Sequence, residues 1–530
     1  MSGWTDHLLV APIVVPLLAG ALMMLAGEGR RGLNAALGVA SAAALVVLAL
    51  ALLRMADADG PAAVRVYRLG DWPAVFAIVL ALDRLSALML TLTAVLGSAA
   101  LVFSLARWHR AGAHFHPLLQ FQLMGLNGAF LTGDLFNLFV FFEVMLAASY
   151  GLLLHGSGAA RVRAGLHYVA INLTASLLFL VAVSVVYGIS GTLNMADLAR
   201  RMAGVAAEDR ALLEAGLAVL GVAFLVKAAM WPVGFWLPAT YAAASAPSAA
   251  VLSVLSKVGV YAVLRLWLLL FGGEAGGFGG AWLTAGGLLT VAFGSAAALA
   301  AQNLARLAGA SVLVSSGTLL AAAGAGEAAV TGGALFYLAS SVPAIAALFL
   351  LVELVERGRD VGADVLAVTR EALGGDERPE DDDEEVGVAI PATMAVLGLA
   401  FVGCALLVAG LPPLSGFLAK LAMLAPLFGF GDGMVSTRAW ALMAALVLSG
   451  LVTVVAMART GIDAFWASPA GDVPRVGVLE IAPVALLLAL CVGMTVFAAP
   501  VMGYMESAAR ALHVPEGYVA GVLPAAGAGR

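Results

Sequence analysis

Val226-Lys227-Ala228-Ala229-Met230-Trp231-Pro232-Val233-Gly234 sets a lysine, a proline and a glycine inside an apolar run that extends from residue 209 to residue 241. The run is too long for one straight crossing of a bilayer core, which takes about 20 residues as a helix. Proline removes a backbone donor and glycine frees the chain, so a broken helix is expected here. The stretch 388–427 has the same character, with Leu411-Pro412-Pro413-Leu414-Ser415-Gly416 at its centre. Lys227 precedes Pro232-Val233-Gly234-Phe235, and Lys420 follows Pro413-Leu414-Ser415-Gly416-Phe417. Matching interrupted helices in the two halves of a chain point to a duplication, with inverted repeats and a binding or relay site near the midplane.

Outward from these two breaks, apolar runs of about 20 residues recur along the whole chain. They lie at 8–27, 33–53, 84–106, 115–133, 134–155, 165–189, 209–241, 247–271, 281–303, 305–325, 330–356, 388–427, 437–459 and 476–500. The fold class that follows is an all-α polytopic membrane protein of about fourteen spans. Of the 530 residues, 62% are hydrophobic and 11% charged, and the mean hydropathy of +1.02 does not suit a water-facing surface. The first run has Arg30 and Arg31 after it and no basic residue before it, the reverse of a secretory signal, so it is expected to stay in the membrane. Cys404 and Cys491 each lie in an apolar run and suggest no disulfide or metal site. The net charge of −6 says little about partners, since much of the acid is concentrated between Asp376 and Glu385, and no feature is built for nucleic acid.

Arginine placement gives the orientation. With the N-terminus outside, the inner loops hold Arg30, Arg31, Arg107, Arg110, Arg161, Arg163, Arg306, Arg357, Arg359, Arg370, Arg378, Arg459 and Arg475. The outer side holds Arg54, Arg65, Arg68, Arg200, Arg201, Arg210, Arg438, Arg510 and Arg530, the smaller share that the positive-inside rule requires. Both termini then face out. The inner loop 358–387 is acidic and reads as a solvated, mobile spacer. The stretch 57–82 reads as an outer loop with some local structure, and 501–530 as an outer tail with one amphipathic turn around Met505 to Leu512.

Of the 27 basic residues only Lys227, Lys257 and Lys420 are lysines, and all three fall inside apolar runs. A charge at the bilayer centre costs about 2.5–3.5 kcal/mol on insertion scales, so three need compensation on the order of 10 kcal/mol. A desolvated ammonium can give up its proton where a guanidinium keeps its charge, so buried lysines are suited to loading and releasing protons. The acid that could answer them is Glu143, in Asn137-Leu138-Phe139-Val140-Phe141-Phe142-Glu143-Val144. If Glu143 and Lys227 meet, they titrate as a coupled pair and the occupancy of one sets the affinity of the other. A static ion pair pinning two helices is the rival reading, and such pairs are weak stabilisers.

Other polar groups are weaker candidates. Asp83 and Arg84 read as an interfacial pair, Asp134 as a helix cap, and Arg265 as reaching the outer interface. His155 and His167 flank an inner loop and read as solvated or locally bonded, with proton uptake as the sharper alternative. Ser253, Ser256 and Thr240 either hold water between the lysines or join helices.

At four blocks the sequence resembles a known family. They are Asn137 to Leu146, Val226-Lys227-Ala228-Ala229-Met230-Trp231-Pro232, Ser256-Lys257-Val258-Gly259-Val260-Tyr261, and Pro412 to Lys420. Together they are similar to the D subunits of Mrp-type multisubunit sodium/proton antiporters, related to the antiporter-like membrane subunits of respiratory complex I. The resemblance implies fourteen helices with two inverted five-helix repeats, over 115–271 and 272–459, flanked by N-terminal helices in 1–114 and by a last helix and outer tail in 460–530. It implies Glu143 and Lys227 as a coupled pair, Lys257 as the central relay lysine and Lys420 as the terminal one. The expected function is a proton-translocating subunit of a hetero-oligomeric Na+ (or other monovalent cation)/proton antiporter in a bacterial plasma membrane. It would work with other antiporter subunits, without a cofactor of its own, as a transport subunit rather than an enzyme. The alternative is a proton-pumping subunit of a redox-driven complex, either complex I-like or a membrane-bound hydrogenase.

Overall fold

A computed structural model describes residues 6–27, 29–60, 63–75, 77–111, 114–156, 158–271, 278–357, 392–428, 435–465 and 476–523. The acidic segment 358–387 lies outside the described residues. Helix dominates. The first half comprises α1 (Ala11–Ala26), α2 (Arg31–Ala58), α3 (Arg84–Ala106), α4 (Phe115–Leu131), α5 (Leu135–Leu154), α6 (Ala159–Ser190), α7 (Met195–Met202), α8 (Ala207–Lys227), α9 (Trp236–Ala243) and α10 (Ala246–Phe271). The second comprises α11 (Gly280–Ala300), α12 (Leu304–Gly324), α13 (Ala328–Glu356), α14 (Ala392–Ala409), α15 (Ser415–Leu424), α16 (Thr437–Phe465), α17 (Val478–Val496), α18 (Ala498–Leu512) and α19 (Pro515–Val522). The stretch 57–82 carries a two-stranded antiparallel hairpin, β1 (Arg65–Arg68) on β2 (Val79–Leu82), with Arg65 opposite Leu82. The tail is more ordered than a single turn, since α18 and α19 both form there.

Eleven of these helices are long and apolar enough to cross a membrane, and each falls on one of the expected runs. The other three runs are occupied by α1, α4 and the pair α8 and α9. Burial divides the helices into a centre and a shell. The apolar windows of α12 and α13 are wholly buried, whereas those of α2, α6, α11, α14, α16 and α17 are only 28–39% buried. Apolar faces that no protein covers need lipid. α13 is the hub, packed against α3, α10, α12, α14, α15, α17 and α18. Small residues allow such approach: a Cβ added at Gly287 of α11 would lie 2.4 Å from the Ala321 backbone nitrogen of α12.

Both predicted breaks form, and their backbones follow the same course. α8 ends with Met230 N–H bonded to Leu225 C=O at 2.9 Å, and α14 ends with Leu411 N–H bonded to Leu406 C=O at 3.0 Å. The residue before each donor is left-handed, Ala229 at φ 57° and Gly410 at φ 74°. A cis X-Pro bond follows in each, Trp231-Pro232 and Pro412-Pro413. The helices then resume as α9 and α15.

Candidate functional site

Glu143 lies mid-way along α5, and Lys227 is the last residue of α8. Ser176 of α6 stands between them, donating its hydroxyl to Glu143 Oε1 and accepting from Lys227 Nζ at 3.3 Å. Lys227 is 5% exposed, and its ammonium lies 5.1 Å from the centroid of the Phe142 ring. Phe142, Phe179 and Phe224 meet edge to face at 5.4–6.1 Å. Their π-faces and the carbonyl end of α8 both favour a positive charge here.

Lys257 sits on α10, 1% exposed, and donates to Ser316 Oγ at 2.8 Å and Val312 C=O at 3.3 Å, both on α12. Gly259, half a turn further on, brings α10 against the first break: a Cβ there would lie 2.6 Å from the Ala228 backbone nitrogen. Lys420 lies in the second turn of α15, 8% exposed, and donates to the Ala409 carbonyl at 2.7 Å and to Leu446 C=O at 3.4 Å. Ala409 closes α14, so the ammonium rests on the negative end of that helix.

Sequence reasoning missed what lies between Lys257 and Lys420. Ser315 of α12 meets Ser341 of α13 at 3.0 Å, and Ser340 meets Ser415 of α15 at 2.7 Å. Successive residues turn about 100° around a helix, so each serine doublet faces two neighbours at once. Lys257 thus links α10 to α12 through Ser316, and hydroxyl pairs link α12 to α13 and α13 to α15. The available signal was the doublets themselves, Ser315-Ser316 and Ser340-Ser341, polar in otherwise apolar runs.

The weaker candidates resolve differently. Asp83 and Arg84 do not pair with each other: Asp83 Oδ1 accepts from Arg265 Nη2 at 2.7 Å, and Arg84 Nη2 reaches Asp57 Oδ1 at 2.8 Å. As adjacent residues, the N-cap and first residue of α3, they point to different neighbours. Arg265 is buried by protein, 4% exposed, with the Tyr518 ring 5.0 Å from its guanidinium carbon. Asp134 does cap α5, accepting from Asn137 N–H at 2.8 Å. Thr240 and Ser253 bond back to their own helices, and Ser256 donates to Ser253 C=O at 3.3 Å. His155 is buried against the Trp108 carbonyl at 2.9 Å, and His167 is exposed, bonded to Arg163 C=O.

The family described as NADH:quinone oxidoreductase/Mrp antiporter, TM, matches residues 132–452, which include Glu143, Lys227, Lys257 and Lys420. The chain belongs to that family. Within it, the chain is 57% identical over the full length of both proteins to the D subunit of a probable K(+)/H(+) antiporter of Rhizobium meliloti (strain 1021). It is 32% identical, over 98% of this chain and 99% of the relative, to the D subunit of the Na(+)/H(+) antiporter of Alkalihalophilus pseudofirmus. Among solved structures, a chain of the Mrp complex from Dietzia sp. DQ12-45-1b superposes with a TM-score of 0.82 at 25% identity, over 98% of this chain and 99% of that one. The expected resemblance to antiporter D subunits is thereby met.

Proposed function

We propose that this chain is the proton-translocating membrane subunit of a multisubunit monovalent cation/proton antiporter in a bacterial plasma membrane. The observation that carries the reading is the set of three buried lysines, with one hydroxyl pair between α12 and α13 and another between α13 and α15 in the stretch that separates Lys257 from Lys420. Protons hop along Glu143, Lys227, Lys257 and Lys420 with water between them. Neutral hydroxyl and carbonyl acceptors hold Lys257 and Lys420 without locking the charge in place. A serine hydroxyl both donates and accepts, so it serves the protonated and the neutral amine alike. Charge on one group shifts proton affinity at the next, and Ser176 transmits that coupling between Glu143 and Lys227.

In this reading the chain crosses the bilayer fourteen times with both termini outside, and 115–271 and 272–459 are inverted repeats, a pattern the shared course of the two breaks supports. Other antiporter subunits complete the assembly. K+ is better supported than Na+ as the exchanged cation, since the relative of 57% identity carries a K+ name and that of 32% a Na+ name. The redox-driven alternative has less support, because both of these full-length relatives have antiporter names.

The test is antiport in everted vesicles from an antiporter-deficient host that expresses the whole gene cluster. Lys257→Ala should abolish K+- and Na+-dependent dissipation of the pH gradient while the complex still assembles. Unchanged transport would overturn the reading.

A further inference from the structure

α1 ends at Ala26 with Gly27 as its cap, α2 begins at Arg31, and α4 begins at Phe115, and between these ends lies a cavity of about 270 Å³. Arg31, Asn34, His109, Arg110, His114 and His116 line it. His116 is 5% exposed, and neither of its ring nitrogens has a hydrogen-bond partner. Asn34 is 7% exposed; its amide nitrogen bonds to Gly27 C=O at 3.1 Å and its Oδ1 is unpartnered. Buried polar groups without partners are costly, so the cavity is built for something polar. α2 and α4 both start without a side-chain cap, leaving first-turn N–H groups and the positive ends of two helices at the cavity. With two arginines added, its lining suits an anion. Glu28 lies outside the described residues.

We propose that this cavity binds the headgroup of an anionic phospholipid, with the phosphate held by Arg31, Arg110, His116 and the two helix starts. A glycerol headgroup supplies hydroxyls that donate to Asn34 Oδ1, which inorganic phosphate does less well. The surroundings fit a lipid. Leu22 and Leu25 in the last turns of α1 and Leu33 in the first turn of α2, the helices whose ends line the cavity, are 52%, 85% and 45% exposed and offer apolar surface to acyl chains. Arg30, Arg31, Arg107 and Arg110 mark this as the inner face under the positive-inside orientation, where headgroups of that leaflet lie.

The test titrates the purified, delipidated complex with phosphatidylglycerol, phosphatidylcholine and inorganic phosphate, following bound species by native mass spectrometry. The wild type should retain phosphatidylglycerol in preference to phosphatidylcholine. Each arginine near an anionic headgroup is worth about fivefold in affinity, so the Arg31→Gln, Arg110→Gln double variant should bind phosphatidylglycerol about twenty-fivefold more weakly. His116→Gln should weaken it as well, without altering the unfolding temperature of the lipid-free complex. Equal binding of the two lipids, or wild-type affinity in the double variant, would overturn the proposal. Inorganic phosphate displacing phosphatidylglycerol at equal concentration would assign the cavity to the free anion and overturn the lipid reading.

Discussion

Ser176 holds together two groups that do not otherwise touch, since its hydroxyl donates to Glu143 and accepts from Lys227. A hydrogen bond to a charged group contributes about 1.5–3 kcal/mol, so Ser176→Ala should slow antiport about tenfold or more, and Ser176→Thr should keep most of the rate. Vesicle antiport rates check this; an undiminished rate in Ser176→Ala would mean that the pair works without the bridge. The lysines and Glu143 were legible in the sequence because a charge inside an apolar run is costly enough to need a reason. Ser176, Ser316 and the serines between Lys257 and Lys420 were not. A serine that bonds back to its own helix, as Ser253 does, looks the same in sequence as one that reaches a lysine.

At the scale of elements, the broken helices could be read directly, because proline and glycine break a helix whatever surrounds it. The anchoring of α10 could not. Arg265 finds Asp83 across 182 residues of sequence, and no local pattern connects them. Burial pushes the Asp83 carboxyl up, but the Arg265 charge and the hydrogen bonds to Arg265 and Ser86 outweigh it and hold the group below the usual carboxylate range. A carboxyl lowered by folding contributes stability that is complete above the unfolded value, about pH 4, and is lost as the pH falls through the lower folded value. Removing one partner of a buried pair costs about 3–5 kcal/mol, so Asp83→Asn should lower the unfolding temperature across neutral pH. Thermal unfolding at a series of pH values should show the gap to wild type narrowing only in acid. A gap that did not depend on pH would contradict the pairing.

Across the whole molecule, the division between centre and shell is what hydropathy left hidden. α13 and α14 are comparably apolar, yet one is buried throughout its window and the other is 28% buried. Lipid and protein interior are both apolar, so a hydropathic run reads alike in either. The segment 358–387 follows the hub helix α13 without being part of any residue set invoked for transport. Replacing it with a short glycine-serine linker should leave antiport rates within about twofold, as expected for a spacer that long loops tolerate thermodynamically. Loss of transport with assembly intact would make it a working part.

The central claim is that Lys257 gives and takes a proton rather than merely holding a charge between α10 and α12. Lys257→Arg separates the two, because a guanidinium keeps the charge and the donors but does not release its proton. The decisive measurement is cation-dependent proton flux in everted vesicles carrying Lys257→Arg, with assembly of the complex verified in the same membranes. The account predicts an assembled complex without antiport; wild-type flux would contradict it.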